Sequence, residues 1–183
     1  MALFGHSIAG ASEGTYKVQS GDNLYTIGQQ YGVSVLDLQA ENEKQSTEVA
    51  PGETLKIPAS ITADEKDLLA RIVHAEAKGE PYAGKVAVAT VVLNRVDHPE
   101  YPNTIRGVIE EISASGHYAF EPVQNGEINR AADKESKRAA NEALAFRGQG
   151  QGSIFFYNPT IATNHWIATR TETIRIGQHV FAK

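Results

Sequence analysis

The chain has 183 residues, 41% apolar and 21% charged, values ordinary for a globular protein and too polar for a chain made of membrane spans. A net charge of -5 with no block of Lys or Arg excludes a nucleic-acid partner, because neutralising phosphates needs a basic face. The absence of Cys excludes disulfides, thiol nucleophiles and Cys-ligated metals and fits either redox compartment.

Residues 1–15 set His6, Ser7, Ser12 and Glu13 among small residues and read as a flexible leader, without the basic start, apolar run and cleavage site of a secretory signal. Residues 16–58 follow a β-α-α-β pattern. Thr15, Tyr16, Lys17 and Val18 alternate as a strand, and Ser20-Gly21-Asp22 makes a turn. A first helix starts at Asp22 or Asn23 as cap, aligns Leu24, Ile27 and Tyr31 on one face, and stops at Gly32. A second starts at Ser34 with Val35, Leu38 and Asn42 stacked, and a polar loop leads through Pro51-Gly52 to the strand Thr54-Leu55-Lys56-Ile57.

The run Tyr16-Lys17-Val18-Gln19-Ser20-Gly21-Asp22-Asn23-Leu24, then Ile27, Tyr31-Gly32-Val33-Ser34, Leu38, Asn42 and residues 51–58, resembles the LysM family over the whole module. The resemblance implies binding of N-acetylglucosamine-containing glycans in a shallow groove between two loops. Their residues here are Gly21, Asp22, Asn23 and Leu24 on one side and Val49, Ala50, Pro51 and Gly52 on the other. Turn and cap chemistry explains the glycines, Asp22 and Asn23 equally well without a sugar.

Residues 59–63 form a connector too short for independent tumbling, and Thr62 to Glu65 has capping-box spacing, so a helix opens there. On that helix Leu69, Ile72, Val73 and Glu76 share one stripe. A carboxyl held among apolar neighbours keeps its proton near neutral pH and suits a general acid; a helix end that simply reaches solvent is the alternative. Residues 86–96 are apolar on most sides and, with the residues before them, long enough for a buried central helix ending at Asn94 and Arg95. Asn94 either ties a loop or meets a ligand, and Arg95 either forms an ordinary ion pair or faces a cleft. A short helix through Ile105, Val108 and Ile109 precedes a loop-rich stretch over 113–129. Residues 133–146 read as a surface helix with Ala139, Ala140, Ala143 and Leu144 inward. Three short strands, at 154–157 and on either side of Gly177, complete an α+β domain over 64–183.

Residues 70–77 (Ala-Arg-Ile-Val-His-Ala-Glu-Ala), Gly79-Glu80-Pro81, the stretch from Val86 to Val96, Phe120-Glu121-Pro122-Val123, Tyr157-Asn158-Pro159, Trp166 and residues 176–181 are together similar to the cell wall hydrolase family of spore cortex-lytic enzymes, the SleB/CwlJ type. The resemblance implies a fold like that of lysozyme-like lytic transglycosylases, Glu76 as general acid and base, and cleavage of peptidoglycan strands between N-acetylmuramic acid and N-acetylglucosamine. One carboxyl suffices for a transglycosylase, whereas hydrolysis requires a second. Glu121 is the best candidate for that second group, ahead of Glu80 and Glu127, for which solvated charge is the default. Ala119 stands where the family has a polar residue, which removes any contact borrowed for that position. Asn94, Phe120, Tyr157, Asn158 and Trp166 are candidate cleft residues, with core packing the competing role of the aromatics.

No cofactor and no metal is expected. His74 and Glu76 point to different helix faces, no His-Glu-x-x-His run exists, and His98, His117, His165 and His179 show no ligand spacing. The expected partner is peptidoglycan, in the cell wall or in the spore cortex or coat, with a possible accessory or coat protein and a monomeric chain. Lacking a signal, the chain would reach the wall through lysis, a membrane lesion or a spore layer. A wall-binding protein without activity, anchored by its LysM module, is the rival reading.

Overall fold

The computed structural model describes residues 14–113, 116–163 and 166–183, so residues 1–13 of the expected leader and His165 lie outside the described residues. Strand β1 (Gly14–Lys17) pairs antiparallel with β2 (Thr54–Ile57), Tyr16 opposite Leu55. Gly14 and Thr15 therefore belong to the sheet and not to the leader. Helix α1 (Leu24–Tyr31) has Asn23 as its cap in a reciprocal box with Thr26, and Gly32, at φ 70°, ends it in the left-handed conformation. Helix α2 (Val35–Glu41) is capped by Ser34. The side chain of Asn42 both accepts from Lys56 N and donates to Lys56 O, at 2.8 Å each, clamping β2 to the end of α2. Val18, Leu24, Ile27, Val33, Val35, Leu38, Leu55 and Ile57 close this module's own core.

The second domain is built on α3 (Ala63–Glu76), α4 (Tyr82–Asp97) and α7 (Lys134–Ala145), with the short helices α5 (Ile105–Ile109) and α6 (Glu121–Gln124) between them. The capping box of Thr62 and Glu65 starts α3. Helix α4 is central, with Val88, Ala89, Val91, Val92 and Leu93 all buried. Lys85 in its first turn is buried too, and its ammonium pairs with Glu135 of α7. Strands β3 (Phe155–Tyr157), β4 (Glu172–Ile176) and β5 (His179–Ala182) form an antiparallel sheet in the order β3-β5-β4, with a bulge between Glu172 and Ile174.

Helix α7 is the surface helix expected, with the expected inward face, and it carries a further contact that its sequence did not mark. One face, through Ala139, Ala140, Ala143 and Leu144, packs on α3 and α4, while its last turn also receives α1 of the first module. Small residues permit that approach. A Cβ at Gly28 would lie 2.7 Å from Val33 O and 3.5 Å from Ala145 Cβ. The Tyr25 and Phe146 rings stack with centroids 4.9 Å apart. Lys66 of α3 donates to the carbonyls of Gln29 and Gln30 at 3.2 and 3.5 Å, placing a cation at the negative end of α1. The two modules thus share a packed face beyond their short connector.

Candidate active site

Glu76 is the last residue of α3, one turn beyond the fully buried Ile72 and Val73 and next to the buried Ala77. Its carboxyl is pushed up to about 7, chiefly by burial and further by the charge of Glu121, while Arg95 opposes the shift. Glu121 is the first residue of α6 and exposed. The stripe read from the sequence thus ends in a half-buried residue whose carboxyl is raised towards neutrality.

Arg95, near the end of α4, forms no ordinary ion pair among the described residues. Its Nε donates to Ile154 O at 2.8 Å, and its guanidinium stands 5.3, 5.1 and 5.9 Å from the ring centres of Tyr101, Phe120 and Phe155. The rings and the carbonyl hold a cation beside Glu76 without neutralising it, and burial lowers the Arg95 pKa from its usual value. Sequence spacing missed this box because its three rings come from three separate stretches.

The expected cleft residues divide. Asn94 Nδ2 donates to Ser153 O at 2.8 Å and so ties α4 to the approach of β3. Phe120 is 3% exposed, packed against Phe156 and Arg95, with no face open to a sugar. Tyr157 and Asn158 are half-buried at the end of β3, where Asn158 donates to Gln178 Oε1 at 3.3 Å and accepts from Thr160 N at 2.9 Å. Trp166 is 51% exposed, set edge-on to Phe155 at 5.4 Å, with Arg170 over its ring at 4.5 Å. Arg95, Phe155 and Trp166 therefore form a line of groups in contact from the neighbourhood of Glu76 to the surface.

Glu80 does not have the solvated charge expected of it. It is 8% exposed, and its Oε2 accepts from Gln178 N at 3.1 Å in the turn between β4 and β5. Glu127 pairs with Arg130 at 3.3 Å. Among the described histidines, His74 lies 3.3 Å from Asp133, His98 packs on Tyr101, His117 is exposed, and His179 is buried against Phe156 and Phe181. No three metal-ligating side chains converge among the described residues.

In the first module Leu24 N donates to Thr47 O at 3.1 Å, which ties the start of α1 to the chain just before the second expected groove loop. Gly21 and Gly52 have φ of 93° and 87° with open space where a Cβ would stand, and Ala50 and Pro51 are exposed. Asp22 accepts from Tyr16 Oη at 2.8 Å and Gln19 N at 2.7 Å, and Asn23 caps α1. Leu24 is fully buried and Val49 half-buried against the core, so neither offers the surface that the glycines, Ala50 and Pro51 do.

Residues 79–182 match the cell wall hydrolase family and residues 16–58 match the LysM domain. A spore cortex-lytic enzyme of Halalkalibacterium halodurans is 37% identical over 139 residues, 76% of this chain and 41% of that protein. An aligned span of that length includes Glu76 wherever it begins. The spore cortex-lytic enzyme of Bacillus subtilis (strain 168) is 35% identical over 127 residues, 69% of this chain and 40% of that protein. The chain spans less than half the length of either relative. Among solved structures, the catalytic domain of the germination-specific lytic transglycosylase SleB from Bacillus anthracis aligns with a TM-score of 0.62 at 36% identity, covering 69% of this chain and all of that one. The catalytic domain of the Bacillus cereus SleB protein aligns with a TM-score of 0.61 at 37% identity, covering 69% of this chain and 95% of that one.

Proposed function

The chain belongs to the cell wall hydrolase family and carries a LysM domain, and on that footing we propose that it cuts peptidoglycan strands as a lytic transglycosylase with Glu76 as both acid and base. The observation that carries this reading is the Glu76 carboxyl, held by burial at a pKa of about 7. The neutral carboxyl gives its proton to the oxygen linking N-acetylmuramic acid to N-acetylglucosamine, and the bond from that oxygen to the muramoyl C1 breaks. C1 becomes oxocarbenium-like, the muramoyl 6-hydroxyl oxygen bonds to it, and the Glu76 carboxylate takes the hydroxyl proton. The product is an anhydro end, and Glu76 is returned to its starting state. Between the two transfers Glu76 is an anion, which the neighbouring Arg95 cation favours.

Glu121, exposed and near enough to raise the Glu76 pKa, positions substrate in this scheme. In a hydrolytic scheme it would instead activate water. Tyr157, Asn158 and Trp166 are the proposed cleft residues, and Gly21, Ala50, Pro51 and Gly52 the proposed glycan contacts of the LysM domain. The substrate class sets the place of action at the cell wall or spore cortex.

The test digests purified peptidoglycan and spore cortex with the wild-type chain and Glu76→Gln, and identifies soluble fragments by mass spectrometry. Anhydro-muramoyl ends that fall by about 10²- to 10⁴-fold in the variant are expected, the usual contribution of a general acid. The wild-type kcat/KM should fall as pH rises through about 7, where Glu76 loses its proton. Reducing ends would overturn the transglycosylase scheme, and no fragments from either substrate would leave a wall-binding protein.

A further inference from the structure

We propose that Glu80 is a positioning residue for this site: its buried carboxylate latches the β4–β5 turn onto the loop that follows Glu76, holding the end of α3 and the cleft residue Asn158 in one fixed arrangement. The proposal rests on the active site argued above, and its geometry comes from residues with no part in the proton transfers.

Three segments meet at Glu80, the first through its backbone and the other two through its side chain. Glu80 N donates to Ala77 O at 3.1 Å, which folds the loop back against the end of α3. Glu80 Oε2 accepts from Gln178 N, and Gln178 Oε1 in turn accepts from Asn158 Nδ2. The start of α4 closes the third side: a Cβ at Gly84 would stand 3.3 Å from Glu80 Cβ and 3.6 Å from Ile176 Cγ2. Gly177 completes the seat. Its φ is 57°, and a Cβ there would fall directly against Glu80 Oε2, 3.2 Å from Glu80 Cδ and 2.7 Å from Pro81 Cδ. The turn is therefore shaped around the carboxylate. The buried His179 follows Gln178, its ring against Phe156 and Phe181, so the turn is also anchored from behind.

Removal of the carboxylate leaves the Gln178 N–H without its partner and frees the turn from the loop behind Glu76. A Gln at position 80 retains an oxygen that accepts the same bond. Positioning thus separates from proton chemistry. Glu80→Gln should keep kcat within about threefold, because acceptance and not charge is what the turn needs. Glu80→Ala should lower kcat by about ten- to a hundredfold, the cost of a slightly misplaced catalytic group, with KM changed far less. Gly177→Ala, which pushes the carboxylate out of its seat, should reproduce that loss. The double variant should lose no more than either single one, since both break the same contact.

The experiment measures kcat and KM on soluble glycan strands for wild type, Glu80→Gln, Glu80→Ala, Gly177→Ala and the double variant. NMR follows the Gln178 amide and the titration of the Glu76 carboxyl in each. In Glu80→Ala and Gly177→Ala the Gln178 amide should lose protection from exchange, and the Glu76 midpoint should move towards the ordinary carboxyl range; in Glu80→Gln both should stay. Full kcat in Glu80→Ala, additive losses in the double variant, or Glu80→Gln as inactive as Glu80→Ala would each overturn the latch. A wild-type chain that releases no fragments would defeat the proposed function alone, because the amide and the Glu76 titration still read the latch. Where Glu80→Ala does not fold, the contrast of Glu80→Gln with Gly177→Ala decides the same question.

Discussion

At Glu76 the burial that favours proton donation also works against the folded state once the group ionises. Its folded pKa of about 7 exceeds the ordinary carboxyl value, so between the two the folded chain binds more protons than the unfolded one. The sign follows: stability falls as pH rises from about 4.5 to about 7 and is flat above that. Glu76→Gln removes the conflict, and its gain over wild type should be near zero at pH 4 and up to about 3 kcal/mol above pH 8. Thermal unfolding of both proteins across that range checks this, and an equal gain at both ends would show that burial does not set the Glu76 pKa. Local spacing made the stripe of Leu69, Ile72 and Val73 that leads to Glu76 legible but left a solvent-reaching helix end open, and it was the family resemblance that pointed to Glu76 as the acid. Arg95 and Glu80 were not legible. The rings around Arg95 lie at positions 101, 120 and 155, and the partner of Glu80 is a backbone N–H at Gln178, which carries no side-chain signature.

Elements were legible where their ends carry local chemistry. Asn23, Ser34 and Thr62 cap the helices they precede, and Gly32 stops α1, because a cap depends on a side chain and the three residues after it. Helix α6, four residues long and without a side-chain cap bond, left no such mark in the loop-rich stretch over 113–129. The opening of α3 gives a direct measure of what a cap contributes. Thr62→Ala removes the acceptor of Glu65 N and one of the two donors to Glu65 Oε2, and should cost about 1 kcal/mol in a urea melt. Activity below the transition should be unchanged, since Glu76 sits at the far end of the same helix. A large loss of turnover in the folded variant would mean that α3 shifts as a whole.

Across the molecule, two cores that are separate in composition are joined by a face that the sequence did not announce. The short connector hinted at it, but Gly28, Tyr25 and Lys66 read as ordinary helix residues until α7 is seen against α1. Because the modules bury this face together, heating should give one cooperative transition by calorimetry, with equal van't Hoff and calorimetric enthalpies. Phe146→Ala combined with Lys66→Met should divide it into two, and two transitions already present in the wild type would mean that the modules melt independently. The face also limits exchange of parts. A LysM domain transplanted from another protein would have to bring a residue without a side chain at position 28, an aromatic ring at 25 and free carbonyls at the end of its first helix. Any other donor would sit askew on α7, so the two halves have to be exchanged as a matched pair.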